Sequence, residues 1–488
     1  MAVPAFAEPT RLFEAKVRDA LSAPAAILPD DATLQDAWDR ARTLRGTLAV
    51  VAANGRLVGS FAAGDVLDWL ARGIEPGDRI ARLIGDRRLV IDADRHLLDA
   101  VVAMRRDRLP ALAVTDARGR FLGLVALADV LHAGATPAFD VAAMLSGERS
   151  VDALARIAAT EPEIAARMLA CDVPAEQILA TLSAINAELH RRVLDISLAE
   201  LAADGWGAPP VPFAFAVMGS GGRRENLIAP DQDNALVIAD HDETERRATE
   251  SYFIALAERL TRTLDRVGFE LCKGNVMATN PVWRKSLAEW REQISIWAGK
   301  RQPIHLLNSD VMLDVAHVAG DETLVCDLRR HMIGEMRRSP AFVRELYGIE
   351  QDHNVALNWF GFLKRETSEH EEPGVINLKM RGTLPLVEGA RLLSLIAGID
   401  ATSTCARLHA LGEAGKLRKD EVESLIDCYR TLVGMILRQQ VEDARARRPI
   451  TDYVVHDKLS PRDKTRLRRA LREIEKFRTE LPVRIGVT

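Results

Sequence analysis

The chain is 488 residues long, with 48% apolar residues, 28% charged residues and a formal charge of −5. That length suggests about three domains with ordinary globular cores, and the acidic balance and 5% aromatic content argue against a dedicated nucleic-acid binder. No apolar run is long enough for a membrane span, no signal-peptide pattern opens the chain, and Cys171, Cys272, Cys326, Cys405 and Cys428 are scattered without a C-x-x-C pair, so reduced thiols and a cytoplasmic location are expected.

Residues 24–136 contain an internal repeat. The first copy passes through Asp36-Ala37-Trp38, Leu48-Ala49-Val50-Val51 and Leu57-Val58-Gly59-Ser60-Phe61, and ends Gly64-Asp65-Val66-Leu67. The second passes through Leu98-Asp99-Ala100, Ala111-Leu112-Ala113-Val114 and Phe121-Leu122-Gly123-Leu124-Val125, and ends Ala128-Asp129-Val130-Leu131. Each copy reads as a helix, two strands around a glycine turn, and a second helix. This pattern resembles a pair of CBS domains, regulatory modules that bind adenine nucleotides in many proteins. The resemblance implies that Asp65 and Asp129 hold ribose hydroxyls, whereas Ala62 and Ala126 replace the threonine usual in that family. Without a nucleotide, both aspartates read as helix caps.

Residues 140–204 are rich in alanine and leucine, and Ile178, Leu182, Ile185, Leu189, Val193 and Ile196 mark one face of a long helix. That stripe suits packing on the next domain, a relay from the repeat, or a homodimer contact. Gly205-Trp206-Gly207-Ala208-Pro209-Pro210 ends the helix and opens a domain over 205–335.

Phe213–Met218 reads as a buried strand that runs into Gly219-Ser220-Gly221-Gly222-Arg223-Arg224. Gly219 permits a sharp turn close to a ligand. Ser220 can cap a following helix whose free N–H groups attract phosphate, and Arg223 offers a fork suited to the same oxygens. Asp231 and Asp233, two apart at the head of the next apolar run, are expected on one face of a strand. Two carboxylates at about 5 Å repel by roughly 3 kcal/mol at an effective dielectric near 20, a cost that a divalent cation removes. Mg²⁺ or Mn²⁺, shared with the phosphates of a nucleoside triphosphate (NTP), is the expected cofactor. A Walker loop is excluded because no Gly-Lys-Ser/Thr follows Gly219, and a dinucleotide fingerprint because Arg224 stands at its third glycine.

Downstream, Glu245–Val267 reads as a helix. Asn280-Pro281 is a turn that leaves Trp283 and Arg284 either beside a nucleotide or in the core. Residues 340–485 read as all-helical, with Lys379 and Arg381 on a loop and Arg462–Arg478 on a solvated amphipathic helix. His456-Asp457 lacks the partners of a His-Asp phosphohydrolase.

The motifs Gly219-Ser220-x-Gly222-Arg223-x-Glu225, Asp231-Gln232-Asp233-Asn234-Ala235-Leu236, Gly274–Arg284, Ile376-Asn377-Leu378-Lys379, Arg391-Leu392-Leu393-Ser394-Leu395 and Leu459-Ser460-Pro461 together resemble the bacterial DUF294 group of nucleotidyltransferases. That group belongs to the DNA polymerase beta-type superfamily and is related to the uridylyltransferase of the nitrogen-regulatory PII protein. The resemblance implies a multidomain α+β chain: a CBS-pair-like α/β sensor, a helical connector, a mixed-sheet catalytic core and a helical substrate-binding domain. It implies a third carboxylate at Asp314 on a strand over Val311–Val315, with Asp310 as runner-up and Ala316 where an arginine is usual. It also implies a phosphate contact at Lys379 and transfer of NMP to a hydroxyl of a protein or a small molecule. The alternative expectation is a nucleotide sensor whose transferase site no longer turns over.

Overall fold

The computed structural model describes residues 16–22, 26–43, 47–84, 90–95, 97–106, 109, 111–116, 118–126, 150–300, 302–351, 353–357, 363 and 374–486. The chain divides into two compact units, Met1–Glu148 and Arg149–Thr488. The described part of the expected connector, 150–204, the core and the helical domain therefore form one body.

In the first unit the repeat produces two three-stranded sheets of the same design. Strand β1 (Ala26–Pro29) runs parallel to β2 (Thr47–Val51), which runs antiparallel to β3 (Leu57–Ala62). In the second copy β4 (Val90–Asp92) is parallel to β5 (Ala111–Thr115), which is antiparallel to β6 (Phe121–Ala126). The register slips between Val50 and Val51 in one sheet and at the matching Val114 and Thr115 in the other. The opening strands β1 and β4 were not anticipated. They carry only four and three residues, too few for a period of two to register. The two glycine turns meet: Leu57 donates its N–H to the Gly119 carbonyl, and Phe121 donates to that of Gly55.

The second unit is built on a four-stranded sheet of order β10-β7-β8-β9: Ala316–Gly320, Phe213–Val217, Asn234–Ile238 and Arg284–Ser286. β7 is antiparallel to both neighbours, and β8 and β9 are parallel. Every residue of β8 is buried, as expected of a central strand covered on both faces. The expected long helix runs Ala175–Ala203, with Ile178, Leu182, Ile185, Leu189 and Val193 inside, and the helix expected over Glu245–Val267 runs Arg246–Val267. The expectation at Val311–Val315 is corrected: a helix over Pro303–Met312 takes its first two residues, a turn follows, and β10 starts only at Ala316. Pro303 at the first helical turn starts that helix readily, so Asp314 falls in the turn between helix and strand.

The C-terminal part is helical but not wholly so. β11 (Val375–Asn377) pairs antiparallel with β12 (Tyr453–Val455) and clips the loop before Lys379 to the end of the Lys419–Arg445 helix. The helices Leu384–Ala397 and Lys419–Arg445 supply most of the interior, and Pro461–Ile485 covers them with Leu467, Leu471, Ile474 and Phe477. No helix among the described residues is long and apolar enough to cross a membrane.

Candidate active site

β7 delivers the chain to a one-turn helix, Gly219–Arg223, which Arg224 closes in the left-handed conformation at φ 60°. Two of its glycines are required by contact. Gly219 itself has φ +56°, and a Cβ there would stand 3.0 Å from Oδ2 of Asp233. A Cβ on Gly222 would stand 1.5 Å from the carbonyl oxygen of Asp314. The turn thus leaves room for one carboxylate and packs against the backbone of another. Ser220 donates its hydroxyl to Asn226 Oδ1 at 3.1 Å, fixing the loop that follows.

Asp231 and Asp233 lie just ahead of β8 rather than on it. Alternation still governs them, because Gln232 and Asn234 point inward and are fully buried. The Gln232 amide donates to the carbonyls of Thr261 and Phe269, at 3.1 and 2.9 Å, and Asn234 Oδ1 accepts from Ala278 N–H at 2.9 Å. These two carboxamides anchor the segment from behind. The Asp233 carbonyl accepts from Met218 N–H at 2.9 Å, which ties the aspartates to the glycine turn.

One oxygen from each of Asp231 and Asp233 and the sulfur of Cys272 all lie within 4.8 Å of one another. Asp231 is exposed, and the other two are half-buried. Burial, and then the Asp231 charge, push the Asp233 carboxyl up to about 6. Burial, and then the Asp233 charge, raise the Cys272 thiol to about 11. Among the described residues, no arginine or lysine forms an ion pair with either aspartate. A hard cation fits here: two carboxylates converge beside a turn from which a side chain is excluded.

Asp231 opens on a cavity of about 340 Å³ between the sheet domain and the helical domain, lined by Ser220, Arg223, Cys272, Lys379 and Asp452 among others. Lys379 opens a wide helical turn, Lys379–Thr383, rather than lying on a loop, and its Nζ is 3.3 Å from Asp452. It is close enough to favour the ionised form of Asp233.

Asp314 does not join this group. It is fully buried and held by three arginines: Arg223 at 2.7 Å, Arg391 at 2.9 Å and Arg407 at 2.6 Å. Burial alone would favour its neutral form, but Arg407, Arg391 and Arg223 outweigh that and hold it far below the usual carboxylate range. Asp310, the runner-up, pairs with Arg391 in the same cluster. Arg223, expected on phosphate, spends Nη1 on Asp314 and Nε on Glu225 at 2.8 Å, although it still lines the cavity. Glu225 in turn accepts from the backbone N–H and hydroxyl of Thr404. This buried network joins the sheet domain to the helical domain.

Trp283 is 1% exposed and packs against Trp290 and Trp297, so it is a core residue. Arg284 donates to the Thr279 carbonyl at 3.0 Å and faces away from the cavity. Asp65 stands half-buried in the first turn of the Ala63–Ala71 helix, whereas Asp129 lies outside the described residues. Sequence reasoning missed Cys272, read only as a thiol, and Arg391 and Arg407, read as helix positions. The arginines could have been noticed as charges on otherwise apolar helix faces.

Comparison with known proteins bears on these parts separately. Residues 159–304 match the family model "Putative nucleotidyltransferase DUF294", and 340–484 match "Putative nucleotidyltransferase substrate binding domain". Residues 17–72 and 83–136 each match the CBS domain. No curated protein matches the chain. Among solved structures, a CBS domain protein of Pyrobaculum aerophilum complexed with AMP is 18% identical, covering 23% of this chain and 88% of its own, with a TM-score of 0.21. A CBS domain pair/ACT domain protein of Thermotoga maritima is 20% identical, covering 24% and 94%, also with a TM-score of 0.21. Taken with the order of the matched segments, the chain belongs to the DUF294 nucleotidyltransferases, with their substrate-binding domain behind the core and a pair of CBS domains ahead of it.

Proposed function

We propose that the second unit transfers a nucleotidyl group from an NTP to a hydroxyl acceptor, with Mg²⁺ or Mn²⁺ held by Asp231 and Asp233. The observation that carries this reading is the convergence of those two carboxylates beside the Gly219–Ser220 turn, with no ion pair to either among the described residues. A bound cation would neutralise the triphosphate and lower the pKa of a coordinated hydroxyl. The residues themselves do the rest. The Gly219–Arg223 turn brings backbone N–H groups to phosphate without a side chain in the way, and Lys379 supplies positive charge across the cavity. The acceptor oxygen forms its bond to the α-phosphorus as the bond to pyrophosphate breaks, and its proton passes to the carboxylate pair. Asp314 has no part in proton transfer, since three arginines hold it ionised. Gln232 and Asn234 position the aspartates through their buried amides.

The CBS pair would bind an adenine nucleotide and set the activity of the second unit, with Asp65 on the ribose. The acceptor would be a regulatory protein, by likeness to the PII uridylyltransferase, or a small molecule. A nucleotide sensor without turnover is the second reading, favoured by one observation: the third carboxylate usual in this superfamily is locked in an arginine cage.

Each NTP, labelled at the α-phosphate, is incubated with purified protein and cell lysate. The transferase reading expects label transfer that Asp231→Ala with Asp233→Ala reduces on the order of 10³-fold or more. Equal labelling by wild type and double variant defeats it. Absence of labelling together with retained nucleotide binding by the full chain favours the sensor.

A further inference from the structure

Cys272 sits in a tight turn whose Asn275 N–H donates to the Cys272 carbonyl, with Asn275 itself left-handed at φ 55°. That turn places the sulfur beside the carboxylates of Asp231 and Asp233. The sulfur lies within 4.8 Å of an oxygen of each aspartate, so one ion can touch all three.

We propose that Cys272 is a third ligand of this site, used for thiophilic cations and not for Mg²⁺, and that it makes the transferase centre a zinc-sensitive one. This rests on the carboxylate pair being the cation site. Mg²⁺ prefers oxygen and keeps its waters, so it would be held by the two carboxylates without the thiol. Zn²⁺ takes sulfur and oxygen together in a tetrahedral shell. Asp231, Asp233 and Cys272 would fill three positions, the thiol proton would leave to solvent, and one position would remain for a phosphate oxygen. Zn²⁺ then displaces Mg²⁺ and stops transfer. Lys379 and Arg223, whose charges already act on Asp233, offset the extra negative charge.

The probe is Co²⁺ added to metal-free full-length protein, read both by near-ultraviolet thiolate-to-cobalt absorption and by equilibrium dialysis. Wild type is expected to bind one Co²⁺ with a charge-transfer band. Cys272→Ser is expected to bind without the band and to lose about tenfold or more in Zn²⁺ affinity. Asp231→Asn with Asp233→Asn is expected to bind neither metal. A band that survives Cys272→Ser, or wild-type binding with no band and unchanged affinity in Cys272→Ser, overturns the thiol ligand while leaving the carboxylate site intact. Failure of wild type to bind Co²⁺ at all removes the carboxylate site and this proposal together.

Discussion

Two acidic centres lie on either side of the same glycine turn and solve the same electrostatic problem in opposite ways. Asp314 is fully buried, and the protein supplies its counter-charge from Arg223, Arg391 and Arg407. Asp231 and Asp233 stand nearer to solvent and close enough to repel, and among the described residues no arginine or lysine is paired to either. A carboxylate whose countercharge is built in has nothing left to offer an ion. A pair without one keeps its coordination capacity open. The difference separates a structural centre from a binding centre, although all three residues are aspartates near Gly219–Arg223.

Stability measurements sharpen that division. Asp314→Asn leaves three buried guanidinium groups short of one charge and is expected to cost about 3–5 kcal/mol, the usual penalty for breaking a buried ionic cluster. It should appear as a drop in the denaturant midpoint of the second unit. Asp231→Ala with Asp233→Ala removes a repulsion and should leave that midpoint unchanged or raise it. If both variants destabilise equally, the two centres are not different in kind. A smaller loss is expected from Gly222→Ala, whose new Cβ must displace the Asp314 backbone from 1.5 Å. Overpacking of this sort costs typically about 1–3 kcal/mol, and the same unfolding curve measures it. A neutral Gly222→Ala would mean that the turn and the Asp314 loop are not packed together as described.

Much of this was legible in the sequence, and the failures have physical causes. Local pattern sufficed for β7, for the Gly219 turn and for the shared side of Asp231 and Asp233, because period and glycine stereochemistry act over a few residues. It failed at Asp314, where an apolar run fits a strand or a helix equally well and Pro303, eight residues upstream of Val311, decides for the helix. It failed at Arg391 and Arg407 because their partners lie 77 and 93 residues away. Cys272 escaped for the same reason: a lone cysteine shows nothing until the fold brings it beside Asp233. The short strands β1, β4, β11 and β12 are held by pairing partners rather than by any preference of their own.

The smallest expected effect concerns the loop that delivers Asp231. Glu161 is 3% exposed, accepts from Ala229 N–H at 3.3 Å, and is pushed by burial up to about 8. Unlike Asp314 it has no arginine paired to it among the described residues, so burial makes the neutral acid its stable form in the fold. A carboxyl whose folded value lies above its unfolded one favours folding most at low pH. That contribution is fully present below the unfolded value of 4.5 and is lost as pH rises through about 8. Thermal unfolding of wild type from pH 5 to 9 should therefore show stability falling across that window. Glu161→Gln, which keeps the shape and cannot ionise, should flatten the fall and be the more stable of the two at pH 9. Identical pH profiles for the two proteins would show that Glu161 finds a positive partner when it ionises, which would place it with Asp314 rather than with the unpaired acids.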